Sequence, residues 1–262
     1  SVVVVVAFVD DRERRRATAA GSVVGTEEAS PRGAAPGHSG GSTRGGMRFN
    51  FFRRPRLWAL FLIVPLMVSC GSSTGAVVST SCEQAAAPCL QGKASVLIST
   101  DKGDITLVVD GDAAPITAGN FVDLVRRGVY DDTQFHRVVR EPVPFVVQGG
   151  DPQSSDRSTL TSKLGTGGFV DPDTGQERKI PLEVKFKGEE SPRYNRITSN
   201  PSELADLELG HERGAVAMAR SQAPDSASAQ FYIALRPLPE LDGRYAVFGQ
   251  VTDGLEVVDS IR

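Results

Sequence analysis

The sequence predicts a mostly β fold, a closed β-barrel of short strands covered by two helices. Glycine (27 residues) and proline (16 residues) make up about a sixth of the 262 residues, which is typical of loop-rich β architecture. From residue 94 onward the apolar runs are short and lie between turn residues, and only two stretches have helical periodicity. Many short strands with so few helices favour a barrel, because closure leaves no strand edge exposed.

The first predicted elements are a hairpin and a helix. Residues 95–99 and 105–109 are β-prone, and Gly103 between them can supply the positive φ of a short hairpin loop. Thr117 is the expected N-cap of the first helix, and Gly128 is expected to end it.

Short strands and one long connection follow. The further runs predicted as strands are residues 135–139, 144–147, 215–218, 230–234 and 246–251. Residues 152–213 are polar and glycine-rich, and a connection of that length is usually functional or carries elements of its own. Within it, residues 180–184 are predicted as an edge strand, where proline is tolerated. Residues 254–261 are predicted as the second helix.

Composition argues against several classes of function. About 40% of the residues are hydrophobic and the net charge is only −3, so we expect no nucleic-acid partner and no membrane-spanning bundle. The three histidines (His38, His136 and His211) are scattered, and the three cysteines form no CxxC pair. We therefore expect no metal and no other cofactor.

The first 46 residues are predicted to be an upstream extension rather than part of the fold. Residues 10–46 are rich in glycine, alanine, serine and arginine, and such a segment buries too little surface to offset its ordering entropy. We expect residues 1–46 to be disordered or spurious, with Met47 as the true start. The run of valines at residues 2–6 is strand-prone, but the sequence offers it no visible partner.

Residues 47–70 have the layout of a secretory signal, with a segment that resembles a bacterial lipobox. Four arginines precede the apolar stretch 57–68, and small residues then lead to Cys70. The apolar stretch is too short for a transmembrane anchor, which needs roughly 20 residues. We expect lipidation of Cys70 rather than simple signal cleavage, which makes the lipid anchor the only attachment to the membrane.

Residues 71–93 are predicted to be a linker that carries Cys82 and Cys89. Beyond a signal peptide the compartment is oxidising, so a short disulfide loop is one reading of this pair. Two free thiols in a linker are the other reading, and the sequence alone leaves both open.

Three separated blocks carry a family resemblance. They are residues 135–151, residues 214–233 and residues 241–251. In this order they resemble the cyclophilins, a family of peptidyl-prolyl cis–trans isomerases, and the match covers residues 94–262. Residues 167–172 and 180–183 are similar to the branch found in the thylakoid lumen.

The resemblance implies an eight-stranded antiparallel barrel capped by two helices, with the last strand beyond Arg262. It also implies a protein that acts on proline-containing polypeptides. We expect a monomer that is exported and anchored at the cell envelope, on the periplasmic or thylakoid-lumen side.

The resemblance also assigns roles to residues. Isomerisation makes and breaks no covalent bond, and its barrier of roughly 18–20 kcal/mol comes from amide resonance. An apolar pocket and a fixed donor that favours the twisted amide are sufficient. Arg137 is the implied catalytic arginine, and Gln148 orients it. The implied substrate-binding residues are Phe145, Val146, Met218, Ala219, Arg220, Gln230, Tyr232, Leu241 and Tyr245.

The chain departs from the family pattern around the implied pocket. Glu240 stands for a tryptophan, Tyr232 for a phenylalanine and Val146 for a methionine. Loss of the tryptophan removes about 200 Å² of apolar surface, so we expect weaker binding and altered specificity. The alternative function is a proline-peptide-binding module that has lost catalysis. Retention of Arg137 and Gln148 favours the enzyme.

Overall fold

Most of the described chain folds into one antiparallel sheet with helices packed against it. The computed structural model describes residues 3–9, 82 and 85–262. The predicted signal segment with Cys70, and most of the predicted extension and linker, lie outside the described residues.

The sheet has nine strands, and two further strands form a separate ribbon. The strands are β1 Val3–Val9, β2 Lys93–Thr100, β3 Gly103–Asp110, β4 Thr133–Gln134, β5 Arg137–Val139, β6 Val146–Gly149, β7 Glu183–Val184, β8 Arg193–Tyr194, β9 Ala215–Met218, β10 Phe231–Ala234 and β11 Val247–Asp253. Their order in the sheet is β4-β1-β2-β3-β11-β9-β10-β6-β5, and β7 pairs with β8. The α-helices are α1 Pro115–Arg126, α2 Pro201–Leu204 and α3 Leu255–Ser260.

The predicted mostly β fold is confirmed, but the pairing differs from the predicted closed barrel. The sheet has nine strands instead of eight, and no pairing among the described strands joins its ends, β4 and β5. These two strands follow one another in the chain, and Phe135 and His136 separate them. The described chain has three α-helices instead of two, because Asn200 caps the single turn of α2 within the long connection.

The valine run near the N-terminus forms a strand, so the prediction that it lacks a partner is wrong. β1 pairs antiparallel with β2 from Val4 opposite Thr100 to Val9 opposite Ser95, and its first residues pair with β4. β-branched residues suit this position because they fit a pleated surface. Its partners lie far along the chain, where a local pattern does not reach.

The predicted hairpin of β2 and β3 is confirmed. The two strands pair along their whole length, and Gly103 has φ +129°. Inward side chains alternate with outward ones on both strands. Phe121 of α1 fills the space above this sheet, with its ring centroid 5.1–5.2 Å from those of Tyr130, Phe231 and Phe248. These buried rings form the centre of the main core.

Helix α1 begins with a cap that comes from a distant strand. Thr117 is not the N-cap: the N-cap position is Ala114, which makes no capping side-chain bond. Instead, the buried carboxylate of Glu183 accepts hydrogen bonds from the backbone N–H of Ile116 (3.0 Å) and of Thr117 (2.6 Å). The predicted stop is confirmed, since Gly128 follows the last turn with φ +68°.

The long connection and the cysteine pair settle two further expectations. Of the predicted edge strand at residues 180–184, only Glu183–Val184 forms a strand, and it pairs with β8 instead of the main sheet. Cys82 and Cys89 form a disulfide, which decides between the two readings of that pair. No helix in the described part of the chain is both long and apolar enough to span a bilayer.

Candidate active site

One row of residues crosses five strands of the sheet. Arg137 lies opposite Gln148, Gln148 opposite Tyr232, Tyr232 opposite Ala217, and Ala217 opposite Val247. Side chains alternate along a strand, so paired residues in one row share one face of the sheet. We call this side the pocket face.

The pocket face carries its own apolar cluster, separate from the main core. Six predicted substrate-binding residues pack in this cluster: Phe145, Val146, Ala219, Tyr232, Leu241 and Tyr245. Tyr232 and Tyr245 meet edge to face, with 5.9 Å between ring centroids. The structure therefore brings together an apolar wall beside the side chains of Arg137 and Gln148.

Met218 does not belong to this wall, so its predicted role in substrate binding is wrong. It lies opposite Phe231, one residue after Ala217, and its side chain therefore points to the other face of the sheet. There it is 1% exposed and packs in the main core. The family block that contains Met218 is present, but such a block does not state which face of the sheet each of its residues occupies.

A chain of hydrogen bonds fixes the polar side chains beside the pocket. Arg137 Nη1 donates to Gln148 Oε1 (3.2 Å), and Gln148 Nε2 donates to Gln230 Oε1 (3.1 Å). Gln230 Nε2 donates in turn to the carbonyl oxygen of Gly167 (2.7 Å). Each amide is thereby held in one orientation. Arg137 itself is exposed, and its remaining N–H groups face no other acceptor among the described residues.

Asp151 supports the end of this chain. Its buried carboxylate accepts from the backbone N–H of Gly165 (2.6 Å) and of Gly167 (3.3 Å). It thereby holds the segment whose carbonyl binds Gln230. These contacts join residues 14 and 16 positions apart, which a local sequence pattern does not reveal.

Arg220 is tied to the backbone on the pocket rim. Its Nε and Nη2 donate to the carbonyl of Arg244 (3.0 and 2.6 Å), and its Nη1 donates to the carbonyls of Ser221 and Gln222. The guanidinium lies 4.9 Å from the centre of the Tyr245 ring. Arg220 therefore holds two rim segments together.

Glu240, the residue in place of the family tryptophan, is paired. Its Oε1 lies 2.7 Å from Arg236 Nη2, and Arg236 Nε donates to the carbonyl of Pro144 (3.1 Å). The next carbonyl, that of Phe145, accepts from the N–H of Leu235 (2.9 Å). Backbone hydrogen bonding and Arg236 lower the pKa of Glu240, so it is ionised at neutral pH. Glu240 in place of tryptophan therefore adds an ion pair with Arg236, and not an unpaired charge, beside the segment that leads to Phe145.

Two histidines near the site differ in their surroundings. Burial lowers the pKa of His136, and neither of its ring nitrogens has a hydrogen-bond partner in the described part of the chain. His211, which the sequence analysis assigned no role, contacts the hydroxyl of Tyr232 (2.8 Å) and the carboxylate of Asp242 (2.7 Å). Tyr232 was the one indication of this contact in the sequence, because a buried tyrosine hydroxyl needs a hydrogen-bond partner. Within the described residues, no three His, Cys, Asp or Glu side chains group as a metal site requires.

Comparison with protein-family models identifies the family of this chain. Residues 95–262 match the family model of cyclophilin type peptidyl-prolyl cis-trans isomerase/CLD. This chain belongs to the family of cyclophilin-type peptidyl-prolyl cis–trans isomerases.

Two curated relatives are similar over the same part. A putative thylakoid lumen peptidyl-prolyl cis-trans isomerase of Synechocystis sp. is 41% identical over 184 residues, which cover 66% of this chain and 45% of that protein. A chloroplastic peptidyl-prolyl cis-trans isomerase of Arabidopsis thaliana is 36% identical over 199 residues, which cover 67% of this chain and 41% of that protein. The matched part thus spans less than half the length of either relative.

One solved structure is similar as well. A cyclophilin type peptidyl-prolyl cis-trans isomerase of Cryptosporidium parvum has a TM-score of 0.45 and 26% identity. The alignment covers 65% of this chain and 83% of that chain.

Proposed function

We propose that this chain is a peptidyl-prolyl cis–trans isomerase that accelerates the exchange of X–Pro bonds in exported proteins. The observation that carries the proposal is the hydrogen bond between Arg137 and Gln148 at the border of the apolar pocket. An enzyme of this kind needs only to bind the twisted amide more tightly than the planar forms.

The proposed mechanism uses the pocket to hold the proline ring and Arg137 to stabilise the transition state. Phe145, Val146 and Leu241 offer an apolar surface for the ring. As the amide twists, its nitrogen becomes pyramidal and gains a lone pair, to which the always-charged guanidinium can donate. Gln148 keeps that guanidinium in place, which avoids the entropy of ordering it in each turnover.

The test is a measurement of cis–trans exchange in a short X–Pro peptide with the wild-type chain. We expect exchange well above the uncatalysed rate, which corresponds to tens of seconds or more. Exchange at the uncatalysed rate with no change on adding protein removes the enzyme proposal.

A second candidate is a proline-peptide-binding module without catalysis. Glu240 in place of tryptophan, and the smaller Val146 in the wall, favour this candidate because they reduce the apolar area of the pocket. Binding of the peptide without faster exchange would support it.

We further propose that the mature protein is exported and lipid-anchored through Cys70. Residues 47–70 would serve as the signal, residues 71–93 as the linker and residues 94–262 as the catalytic domain, with the chain acting as a monomer. The lumenal and chloroplastic compartments in the names of the two relatives support export. The disulfide of Cys82 and Cys89 fits an oxidising compartment.

Lipidation makes a prediction about the mature N-terminus. Mass spectrometry of protein isolated from membranes should find a diacylglyceryl group on Cys70, and Cys70→Ala should prevent membrane attachment. Cys82→Ala is the control, since it also removes one cysteine, together with the disulfide to Cys89, but leaves the lipobox intact. A soluble wild-type product cut at another residue contradicts the proposal.

A further inference from the structure

Behind the pocket wall lies a buried polar network of three side chains, Asp242, His211 and Tyr232. The carboxylate Oδ1 of Asp242 accepts from the backbone N–H of His211 (2.8 Å) and lies 2.7 Å from His211 Nδ1. His211 Nε2 lies 2.8 Å from the hydroxyl of Tyr232. The imidazole is fully buried, and its plane is stacked on the Tyr232 ring with 5.9 Å between centroids.

The donors and acceptors of this network fit only one arrangement of protons when His211 is neutral. A carboxylate only accepts, so Nδ1 carries the proton and Nε2 is the acceptor. The Tyr232 hydroxyl therefore donates to Nε2. Burial raises the pKa of Tyr232, which keeps the hydroxyl protonated.

His211 is the one hydrogen-bond partner of the Tyr232 hydroxyl among the described residues. Without the imidazole this buried hydroxyl would have no acceptor, and without the hydroxyl Nε2 would have no donor. Each of the two side chains therefore fixes the position of the other.

The ring of Tyr232 is also part of the pocket. It lies in the same row as Arg137 and Gln148, and it packs edge to face with the ring of Tyr245 on the rim. We propose that His211 is a positioning residue, which together with Asp242 locks Tyr232 as a wall of the proline pocket. This inference rests on the proposed function, because it assumes that the pocket receives proline.

Several charged or titratable groups surround the imidazole of His211. Glu240 interacts with His211 electrostatically, and Arg220 and Tyr245 act on Tyr232. Glu183 and Lys185 line the small void that also borders His211 and Asp242. Among the described residues, only Asp242 and Tyr232 make hydrogen bonds with the imidazole ring itself.

The experiment measures the affinity for a short X–Pro peptide, and kcat and KM for its exchange, at one pH near neutrality. Tyr232→Phe and His211→Leu should each bind about 3- to 10-fold more weakly, which is the range of one lost hydrogen bond, and the loss should appear in KM more than in kcat. His211→Gln keeps an acceptor for the hydroxyl, so it should recover most of the affinity that His211→Leu loses.

Tyr194→Phe is the matched control, because its hydroxyl faces Glu183 and not the pocket. It should keep the wild-type affinity. Wild-type affinity in both Tyr232→Phe and His211→Leu overturns the inference. Peptide binding is read separately from turnover, so a chain that binds but does not catalyse refutes the enzyme and still tests the network. A wild type that binds no peptide overturns both.

Discussion

Replacing Arg137 by alanine is expected to lower kcat/KM for X–Pro exchange by about 100- to 1,000-fold, the effect of removing one preorganised donor to a transition state. The proline ring should still enter the apolar pocket, because Phe145 and Leu241 do not depend on the guanidinium. The loss should therefore appear mainly in kcat. Exchange spectroscopy on a short X–Pro peptide gives both parameters.

Two variants make the Arg137 result specific. Arg137→Lys keeps the charge but loses the planar fork that meets Gln148, so it should recover little of the activity. Arg157→Ala removes another exposed arginine, outside the row of site residues, and should be close to wild type. An Arg137→Ala enzyme within a factor of two or so of the wild type would refute the assigned role.

Replacing Glu183 by alanine is expected to destabilise the fold by about 3 kcal/mol, because two buried N–H groups at the start of α1 lose their acceptor. For a domain of this size, the melting temperature should fall by roughly 6–12 °C. Differential scanning calorimetry measures the change. Glu190→Ala, a loss of an exposed carboxylate from the connection after β7, is the control and should change little. A melting temperature unchanged by Glu183→Ala would contradict the capping role.

The stability contribution of Glu183 should depend on pH in a defined direction. Burial raises the pKa of Glu183, so between the unfolded and the folded pKa the folded state holds a proton that the unfolded chain has released. This contribution is complete below the unfolded pKa and is lost as the pH rises through the folded pKa. Wild type should therefore lose stability relative to Glu183→Gln as the pH is raised above the usual range of a glutamate. A difference between the two that does not vary with pH would contradict this assignment.

The sequence was sufficient to predict the features that one short stretch of residues determines by itself. The β2–β3 hairpin follows from two alternating runs around Gly103, and the end of α1 follows from Gly128, since both need a positive φ. The blocks that resemble cyclophilins also identify Arg137 and Gln148, which the register of β5 and β6 places opposite each other.

The features that the sequence did not yield depend on contacts between distant segments. The cap of α1 comes from Glu183, 66 to 67 residues away, so Thr117 looked like the better candidate. Met218 was assigned to the pocket because a motif carries no information about faces, which only the strand pairing provides. The partner of the Tyr232 hydroxyl is His211, 21 residues earlier, on a segment without a motif.

The central claim is that the Arg137–Gln148 pair catalyses isomerisation beside an apolar pocket. The most direct measurement follows binding and exchange of one X–Pro peptide in the same sample by two-dimensional NMR exchange spectroscopy, for the wild type and for Arg137→Ala. We predict that both bind the peptide and that only the wild type greatly accelerates the exchange between its cis and trans forms. Equal acceleration by the two proteins, or binding by the wild type without acceleration, would contradict the claim.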